Sequence, residues 1–278
     1  TDSHKSLKSM LLLRPKYHNK NKSVIIIAIF KVINLNLNYT NYNKFFMEKK
    51  FTGALIVAAG KGVRSKSIVP KQYLHFGHKY VLEKNIENFL DEPLIDFVVV
   101  VINKDHLEFY EKAIAKINNP KLLPKCFGGK TRSQSVKNGL KAVSEIGCKK
   151  ILIQDGARPF TSNEIIRNCI KGLDKFDVVF PAIKVPDTLY VEVKENNQRN
   201  IDSLGLDRDY LIRAQTPQAF HFDYIYRTHM SCDEHHTDDV NLALIDKKKI
   251  DIVSGSEYNF KITTPEDIKI AEKLFLNV

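Results

Sequence analysis

Residues 55–71 read Leu-Ile-Val-Ala-Ala-Gly-Lys-Gly-Val-Arg-Ser-Lys-Ser-Ile-Val-Pro-Lys. The apolar start of this segment predicts a buried strand, which ends where Gly60 and Gly62 interrupt it. Glycine allows the backbone to come close to a ligand and to turn its N–H groups towards it. Cations accompany the glycines, namely Lys61, Arg64, Lys66 and Lys71. The combination indicates a loop that binds a phosphate-rich ligand, although a glycine turn with ordinary surface lysines is the simpler alternative.

The spacing of this loop differs from both common nucleotide-binding loops. A Walker A loop needs Gly-x-x-x-x-Gly-Lys-Ser/Thr, which residues 55–71 do not contain. The dinucleotide fingerprint Gly-x-Gly-x-x-Gly fails because Ser65 takes the place of its third glycine. The segment therefore argues against a P-loop protein and against an NAD-dependent oxidoreductase.

The positive charge of the chain lies mostly in its first residues. The 278 residues carry a formal net charge of +11, but residues 1–46 hold eight Lys and Arg against one acidic residue. Residues 47–278 therefore carry only +4. A basic α/β protein that binds nucleic acid is the alternative of a different class, and it would need a charged face with interleaved aromatic side chains.

We interpret residues 1–46 as a leader that is disordered or a non-native, non-functional extension, and residues 47–278 as a single domain with its true start at Met47. The apolar run of the leader, Val24–Phe30, has seven residues, whereas roughly 20 are needed to span a bilayer. The leader also lacks the layout of a secretory signal peptide. The four cysteines show no paired spacing, which suits a reducing compartment. We expect a cytoplasmic protein, with organelle import by the leader as the alternative.

Apolar β-rich runs alternate with segments of helical period from residue 53 onwards. The predicted strands are Gly53–Ala58, Phe97–Ile102, Leu122–Phe127, Ile151–Gln154, Val178–Ala182 and Ile250–Ser254. Helical periods are clearest at Arg132–Ile146 and from Pro265 onwards. The alternation predicts a mostly parallel sheet covered by helices on both faces, a Rossmann-like three-layer α/β sandwich. Residues 186–215 break the alternation and predict an inserted β-arm of the kind that makes dimer contacts.

The unusual polar residues lie after predicted strands, where α/β sheets bind ligands. Residues 128–135, Gly-Gly-Lys-Thr-Arg-Ser-Gln-Ser, offer backbone N–H groups before a helix. Asp155 could hold a metal or a hydroxyl group, and Arg158 a phosphate. The simpler alternatives are a capped turn and a structural Asp–Arg pair. Lys261 is predicted in a short apolar strand, where a lysine is unfavourable unless an anion contacts its ammonium group.

Three further segments have simple structural explanations. Helix capping accounts for Pro186-Asp187-Thr188, at the entry to the arm, and for Thr237-Asp238-Asp239, at a predicted helix start. A metal site is a further hypothesis for His229, Cys232, His235 and His236. A polar loop after a helix is the simpler interpretation of that cluster.

Seven motifs occur in a fixed order along residues 50–278. They are Ala-Ala-Gly-x-Gly-x-Arg with Pro-Lys-Gln, Gly-Gly-x-x-Arg-x-x-Ser-Val, Asp-Gly-Ala-Arg-Pro-Phe, Asp-Thr, Thr-Pro-Gln-Ala-Phe, Thr-Asp-Asp and Asn-x-Lys-Ile-Thr-x-Pro-Glu-Asp. In these motifs the chain resembles the 2-C-methyl-D-erythritol 4-phosphate cytidylyltransferases of the non-mevalonate isoprenoid pathway. Seven motifs in register make the resemblance specific, whereas one alone would be weak.

The resemblance implies transfer of CMP from CTP to 2-C-methyl-D-erythritol 4-phosphate, which gives 4-diphosphocytidyl-2-C-methyl-D-erythritol and pyrophosphate. It also implies Mg²⁺ as the cofactor and a homodimer formed through the arm. Ribitol-5-phosphate cytidylyltransferase remains the alternative, because the motifs that face the triphosphate would look alike in both. Residues 216–220 and 237–239 favour methylerythritol phosphate.

The same resemblance assigns individual residues. The expected catalytic cations are Arg64, Lys71 and Lys261. The expected contacts of CTP are Ala58, Ala59, Gly60, Gly62, Gly129, Ser135 and Gly156. The expected contacts of the second substrate are Asp155, Arg158, Thr188, Arg208 and Thr237, and Asp155 is also the candidate metal ligand. Thr188 and Arg208 lie in the arm and would serve the site of the neighbouring subunit.

Overall fold

The structure is a computed structural model that describes residues 50–60, 69–195, 198–203, 205–232 and 238–276. Its strands are β1 Phe51–Ala58, β2 His75–Phe76, β3 Lys79–Tyr80, β4 Phe97–Ile102, β5 Cys126–Phe127, β6 Cys148–Asp155, β7 Val178–Lys184, β8 Tyr190–Glu195, β9 Gln198–Ser203, β10 Ile212–Ala214, β11 Gln218–His221 and β12 Ile250–Ser254. Its α-helices are α1 Val81–Leu90, α2 Leu107–Ile114, α3 Arg132–Val143, α4 Asn163–Gly172, α5 Phe222–Ser231, α6 Val240–Ile245 and α7 Pro265–Leu276.

The central sheet is mostly parallel. β1 lies between β6 and β4 and is parallel to both, and β5 follows β4 at one edge. β7 and β12 are parallel to each other on the far side of β6. β11 runs antiparallel between β6 and β7, and β10 continues along β7. The carboxyl ends of β1, β4, β6 and β7 therefore meet at one edge of the sheet.

The antiparallel strand is interrupted between β10 and β11. Ala214 lies opposite Ala182, whereas Ala219 lies opposite Val179, so this strand has two more residues than β7 over the same length. The extra residues lie around the cis peptide bond between Thr216 and Pro217. This bulge brings the side chain of Thr216 to the end of β6. The antiparallel strand had not been predicted from the alternating sequence pattern.

Two helical layers cover the sheet because successive side chains of each strand point to opposite faces. Leu55, Val99 and Ile153 pack in one buried cluster with residues of α3 and α5. Ile56, Val100 and Leu152 pack in another with residues of α1 and α4. Each fully buried aliphatic side chain contributes about 1.5–3 kcal/mol relative to an exposed one. The predicted three-layer α/β sandwich is confirmed. None of the helices in the described ranges has the length and hydropathy for a bilayer crossing.

Predicted and observed elements agree best where the apolar runs are longest. The strands Phe97–Ile102 and Ile250–Ser254 are confirmed residue for residue. The predicted strand Leu122–Phe127 is wrong over most of its length: Cys126 and Phe127 pair with β4, and Leu122 forms an isolated bridge. Pro124 lies between them and has no N–H to donate to a ladder.

The short strand predicted around Lys261 is also wrong. Residues 259–264, all of them described, form an irregular segment between β12 and α7. A backbone hydrogen bond attaches this segment to the turn after β6: the N–H of Ile262 donates to Ala157 O at 2.9 Å. Lys261 therefore lies in a loop at the carboxyl edge of the sheet, and not in an apolar strand.

A separate hairpin occupies the region where the arm was predicted. β8 and β9 pair from Tyr190 opposite Ser203 to Glu195 opposite Gln198, outside the central sheet. Several apolar side chains here are exposed, including those of Tyr190 (67 %), Ile201 (75 %) and Tyr210 (84 %). A two-stranded hairpin has little stability of its own in water, and exposed apolar patches commonly mark contact surfaces.

Candidate active site

Asp155, the last residue of β6, is the centre of the site. Nζ of Lys261 donates a hydrogen bond to its Oδ2 over 2.8 Å. Nε of Arg158 lies 3.7 Å from the same oxygen, and Nε of Arg132 lies 3.6 Å from Oδ1. Lys261 follows β12, Arg158 follows β6 and Arg132 begins α3. The fold thus brings three cations from separate segments to one carboxylate.

The charge of Asp155 depends on these cations. Burial alone raises the pKa of a carboxyl group, because it disfavours the ionised form. The opposing effects of Lys261, Arg132 and Arg158 outweigh burial and hold the pKa of Asp155 well below its usual range. Asp155 is therefore ionised at neutral pH. It can accept hydrogen bonds or bind a cation, but it holds no proton to donate as a general acid.

Backbone bonds fix the position of Asp155. Its N–H donates to Oγ1 of Thr216 over 3.1 Å, and that hydroxyl group donates to Oε1 of Gln154 over 2.8 Å. Its carbonyl oxygen accepts from Nδ2 of Asn85 over 2.8 Å. Asn85, Gln154 and Thr216 are themselves buried. These bonds hold the backbone of Asp155, the last residue of β6, in place.

Asn259 joins the segment that carries Lys261 to the same network of hydrogen bonds around Asp155. Its side-chain amide donates to Thr216 O over 2.9 Å, and its Oδ1 accepts from Oγ1 of Thr161 over 2.9 Å. Its backbone carbonyl accepts from Nη1 of Arg158 over 2.6 Å. Asn259 is completely buried. Asn259 is the asparagine of the Asn-x-Lys motif, and no role was predicted for it from the sequence.

Arg132 also contacts a second carboxylate. Its Nη1 lies 2.7 Å from Oδ2 of Asp239, but the N–H is poorly aligned for a hydrogen bond, so the contact is chiefly electrostatic. Oδ1 of Asp239 lies 3.0 Å from Nε2 of His229. Burial raises the pKa of Asp239, but Arg132 and His229 outweigh it and lower the pKa overall. Burial lowers the pKa of Arg132, but Asp239 and Asp155 raise it overall.

The roles of Arg132 and Asp239 were not predicted from the sequence. Arg132 stands in the quoted Gly-Gly-x-x-Arg motif, which was the available signal. Capping had explained the Thr-Asp-Asp segment, and that explanation holds for Asp238, whose Oδ1 accepts from the N–H of Val240 over 2.8 Å. Asp239 makes no side-chain cap and faces Arg132 instead. Thr237 lies outside the described residues.

The metal hypothesis for the histidine and cysteine cluster gains no support from its described members. His229 is buried against Asp239. His235 and His236 lie outside the described residues. Within the part of the chain that the structure describes, no group of three His, Cys, Asp or Glu side chains could hold a metal ion.

The first loop is tied to the end of β1 by Gln72. Its side-chain amide donates to Ala58 O over 2.7 Å and to Gly60 O over 2.9 Å. Gln72 belongs to the Pro-Lys-Gln motif, so these bonds also fix the neighbouring residue Lys71 in the short 3-10 turn Lys71–Tyr73. Gly62 and Arg64 lie outside the described residues.

The glycine-rich segment before α3 packs directly on the first loop. A Cβ atom at Gly128 would lie 2.5 Å from the Cβ of Ala59, so only glycine permits this approach. The N–H of Gly129 donates to Oγ of Ser135 over 3.1 Å, and that hydroxyl group donates to Thr131 O over 2.8 Å. Gly129 and Ser135 therefore stabilise the loop itself. Their contact with CTP stays a prediction.

Gly156 packs against β1 in a similar way. Its N–H donates to Val57 O over 2.9 Å, so this group is used within the fold. A Cβ atom at position 156 would lie 2.9 Å from Val57 O and 2.9 Å from the Cβ of Ala58. The glycine thus allows the turn after Asp155 to sit close to Ala58.

The two predicted site residues of the arm are apart from this network. Thr188 is exposed. Arg208 donates from Nη1 to Pro186 O over 3.3 Å, a contact within the arm. Of the predicted site residues, the structure places Arg158 and Lys261 against Asp155, with Ala58, Ala59, Gly129, Ser135 and Gly156 packed on adjoining segments.

The chemistry of this arrangement favours an anionic ligand. Arg132, Arg158 and Lys261 face Asp155 and Asp239, which leaves one unit of positive charge in a partly buried cluster. Cations in such a place act more strongly on phosphate than they would in water.

Comparison with known proteins identifies the family. Residues 52–277 match the sequence model of 2-C-methyl-D-erythritol 4-phosphate cytidylyltransferase. The enzyme of that name from Clostridium botulinum (strain Eklund 17B) is 38% identical over 224 residues, which are 80% of this chain and 97% of the relative. The bifunctional enzyme IspD/IspF of Wolbachia pipientis is 41% identical over 224 residues. The matched region is 80% of this chain but only 55% of that bifunctional relative.

Solved structures agree with the sequence comparison. The 4-diphosphocytidyl-2C-methyl-D-erythritol synthase of Anaerococcus prevotii superposes with a TM-score of 0.68 at 32% sequence identity. The superposition covers 82% of this chain and 96% of that one. The resemblance seen in the seven motifs is thus confirmed over most of the chain, and the protein belongs to the 2-C-methyl-D-erythritol 4-phosphate cytidylyltransferase family.

Proposed function

We propose that this protein transfers the cytidylyl group of CTP to 2-C-methyl-D-erythritol 4-phosphate and releases pyrophosphate. The observation that carries the proposal is the convergence of Lys261, Arg158 and Arg132 on Asp155 at the carboxyl edge of the sheet. Membership of the family supplies the identity of the two substrates.

The reaction explains why the site is rich in cations. The second pKa of a phosphate monoester is about 6, so the attacking phosphate is largely a dianion at neutral pH and needs no general base. One of its oxygens forms a bond to the α-phosphorus of CTP, while the bond from that phosphorus to the bridging oxygen breaks and pyrophosphate leaves. Negative charge crowds the transition state, and catalysis depends on positioning and on electrostatic stabilisation.

Lys261 is the described cation best placed to act on the reacting phosphate. Its side chain is 38% exposed, whereas that of Asp155 is 12% exposed, so an incoming phosphate reaches the ammonium group from the solvent side. Asp155 holds the ammonium group in position before CTP binds. Arg158 binds the second substrate, and Lys71 and Arg64 bind the triphosphate.

The residues of this site fit an Mg²⁺ ion that binds together with the triphosphate. Mg²⁺ is commonly held by one or two carboxylates together with substrate phosphates. Oδ1 of Asp155 lies 3.6 Å from Nε of Arg132, beyond hydrogen-bonding distance. This oxygen can serve as the protein ligand of Mg²⁺. The ion would neutralise charge on the phosphates. Because the substrate phosphates would supply the other ligands, we expect the affinity for Mg²⁺ to depend on bound CTP.

The arm forms the contact between two copies of the chain. The exposed Tyr190, Ile201 and Tyr210 supply apolar surface that the hairpin leaves uncovered in a single chain. In the homodimer, Thr188 and Arg208 reach the second-substrate side of the neighbouring site. This arrangement accounts for two predicted site residues that lie apart from the Asp155 network of their own chain.

The first prediction concerns the substrate. Pyrophosphate should be released from CTP when methylerythritol phosphate and Mg²⁺ are both present, because the nucleophile is the phosphate monoester and Mg²⁺ offsets the charge. A coupled assay of pyrophosphate measures this, with ribitol 5-phosphate in a parallel reaction. Turnover with ribitol 5-phosphate alone would show that the proposed second substrate is wrong.

The second prediction concerns Lys261. Lys261→Ala should lower kcat by about 10²–10³-fold, by analogy with the loss of one oxyanion donor. Lys150→Ala is a matched control, since Nζ of Lys150 donates to Asp174 over 2.6 Å from the other end of β6. It should leave kcat unchanged. A normal kcat in a folded Lys261→Ala variant would exclude this lysine from the mechanism.

The third prediction concerns the arm. Replacing Ile201 and Tyr210 together by serine should shift the protein from dimer to monomer, because both side chains belong to the exposed apolar surface. Sedimentation velocity measures the change. Ile245→Ser, at another exposed apolar position in α6 (67 %), is the control. A monomeric unmodified protein, or a double variant that remains dimeric, would contradict the proposed interface.

A further inference from the structure

Asp239 and His229 are buried ionisable residues that the proposed reaction does not use. Asp239 is 1% exposed and His229 is 2% exposed. Burying an ion costs several kcal/mol even after the protein relaxes, unless its partners compensate. Both carboxylate oxygens of Asp239 have such partners: Oδ2 lies 2.7 Å from Nη1 of Arg132, and Oδ1 lies 3.0 Å from Nε2 of His229.

Arg132 is held between two carboxylates by different nitrogens. Its Nε faces Asp155 at 3.6 Å, while its Nη1 faces Asp239 at 2.7 Å. The guanidinium group is planar and rigid. An ion pair that restrains the position of Nη1 therefore also restrains the position of Nε. The shorter contact is the one to the more deeply buried carboxylate, so Asp239 restrains the group more strongly than Asp155 does.

His229 fixes the orientation of Asp239 in turn. An ionised carboxylate can only accept hydrogen bonds, so Nε2 of His229 carries the proton of this contact. The bond directs Oδ1 of Asp239 towards α5, and the other oxygen then points to Arg132 at the start of α3. The chain of contacts runs from α5 through the start of α6 and α3 to the end of β6.

We propose that Asp239 and His229 are positioning residues of the active site, which hold the guanidinium group of Arg132 against Asp155 so that the carboxylate and its cations keep a productive arrangement. The inference rests on the proposed function, because the reacting phosphates are what the arrangement serves. It assigns a role to the second aspartate of the Thr-Asp-Asp segment and to a histidine ten residues before it.

The alternative is a purely structural link that ties α5 and α6 to α3. Both interpretations predict a loss of stability when the link is broken. They differ in the kinetics. A positioning role acts on turnover through Arg132, so its effect must disappear once Arg132 is gone. Breaking a purely structural link lowers the free energy of unfolding but leaves the kcat/KM of the folded protein unchanged.

A double-mutant cycle separates the two. Asp239→Asn keeps the shape of the side chain but removes its charge, and Arg132→Met removes the guanidinium group at similar length. Asp239→Asn alone should lower kcat/KM by about 10- to 100-fold, the cost of a misplaced supporting group. In the Arg132→Met background, the same substitution should change kcat/KM by less than about 2-fold. Chemical denaturation of each variant confirms that the folded protein is assayed.

Glu92→Gln is the matched control for neutralising a buried carboxylate. Glu92 is completely buried, and its Oε2 accepts from Nε of Arg167 over 2.9 Å. It lies shortly before β4 begins, at the opposite edge of the sheet from Asp155. This variant should unfold at lower denaturant concentration and retain the kcat/KM of the unmodified protein.

A pair of variants at His229 tests its contact with Asp239. The same pair tests the inference if Asp239→Asn does not fold. His229→Gln keeps an N–H donor for Asp239 and should retain kcat/KM within about 3-fold, whereas His229→Leu should lose about 10-fold or more. The inference is wrong if both variants keep normal kcat/KM, or if the effect of Asp239→Asn persists without Arg132. Failure of the unmodified protein to turn over the two substrates would instead contradict the proposed function, on which this inference depends.

Discussion

The ionised carboxylate of Asp155 is the constraint on which the rest of the site depends. Burial of this group opposes its charge, and Lys261, Arg132 and Arg158 compensate. Each of the three cations comes from a different part of the chain, so the burial of the charged carboxylate is compensated only when β6, α3 and the segment after β12 are assembled. The charged site therefore depends on the folding of these segments against one another.

The fold provides this assembly through its parallel strands. The carboxyl ends of β1, β4, β6 and β7 meet at one edge, and the polar segments that follow them become neighbours. The antiparallel strand formed by β10 and β11 adds Thr216, whose hydroxyl group bonds to the backbone of Asp155. Asn259 then attaches the segment that carries Lys261. A buried neutral frame of amide and hydroxyl groups thus supports the charged cluster.

The charged cluster also has a layered organisation. Lys261 lies nearest the solvent and contacts Asp155 by a hydrogen bond. Arg132 lies deeper and is held from behind by Asp239 and His229. The more exposed Lys261 is accessible to an incoming phosphate, while the less exposed Arg132 is restrained by Asp239. This division allows the site to adapt to a ligand without losing the charge of Asp155.

The strands of the central sheet and the family were predicted well from the sequence. The residues that hold the site together were predicted poorly. Long apolar runs such as Phe97–Ile102 fixed the strands, and the order of motifs identified the family before any geometry was known. The strand at Leu122–Phe127 and the one around Lys261 were wrong, since Pro124 breaks the ladder and the Lys261 segment is held by side chains. Arg132 and Asp239 were not assigned roles, because capping or turn formation explained their motifs locally, and Asn259 was not assigned one because its motif was interpreted through Lys261 alone. Their contacts join residues that are distant in the chain, which no local pattern reveals.

A crystal structure of the protein with CTP and Mg²⁺ tests the central claim most directly. If Asp155 and its cations form the reaction site, the α-phosphate should lie within hydrogen-bonding distance of Nζ of Lys261, about 2.7–3.2 Å. Arg132 should keep its contact with Asp239 in that complex. A nucleotide bound away from the carboxyl edge of the sheet, with Lys261 still hydrogen-bonded to Asp155 and not to the α-phosphate, would contradict the account.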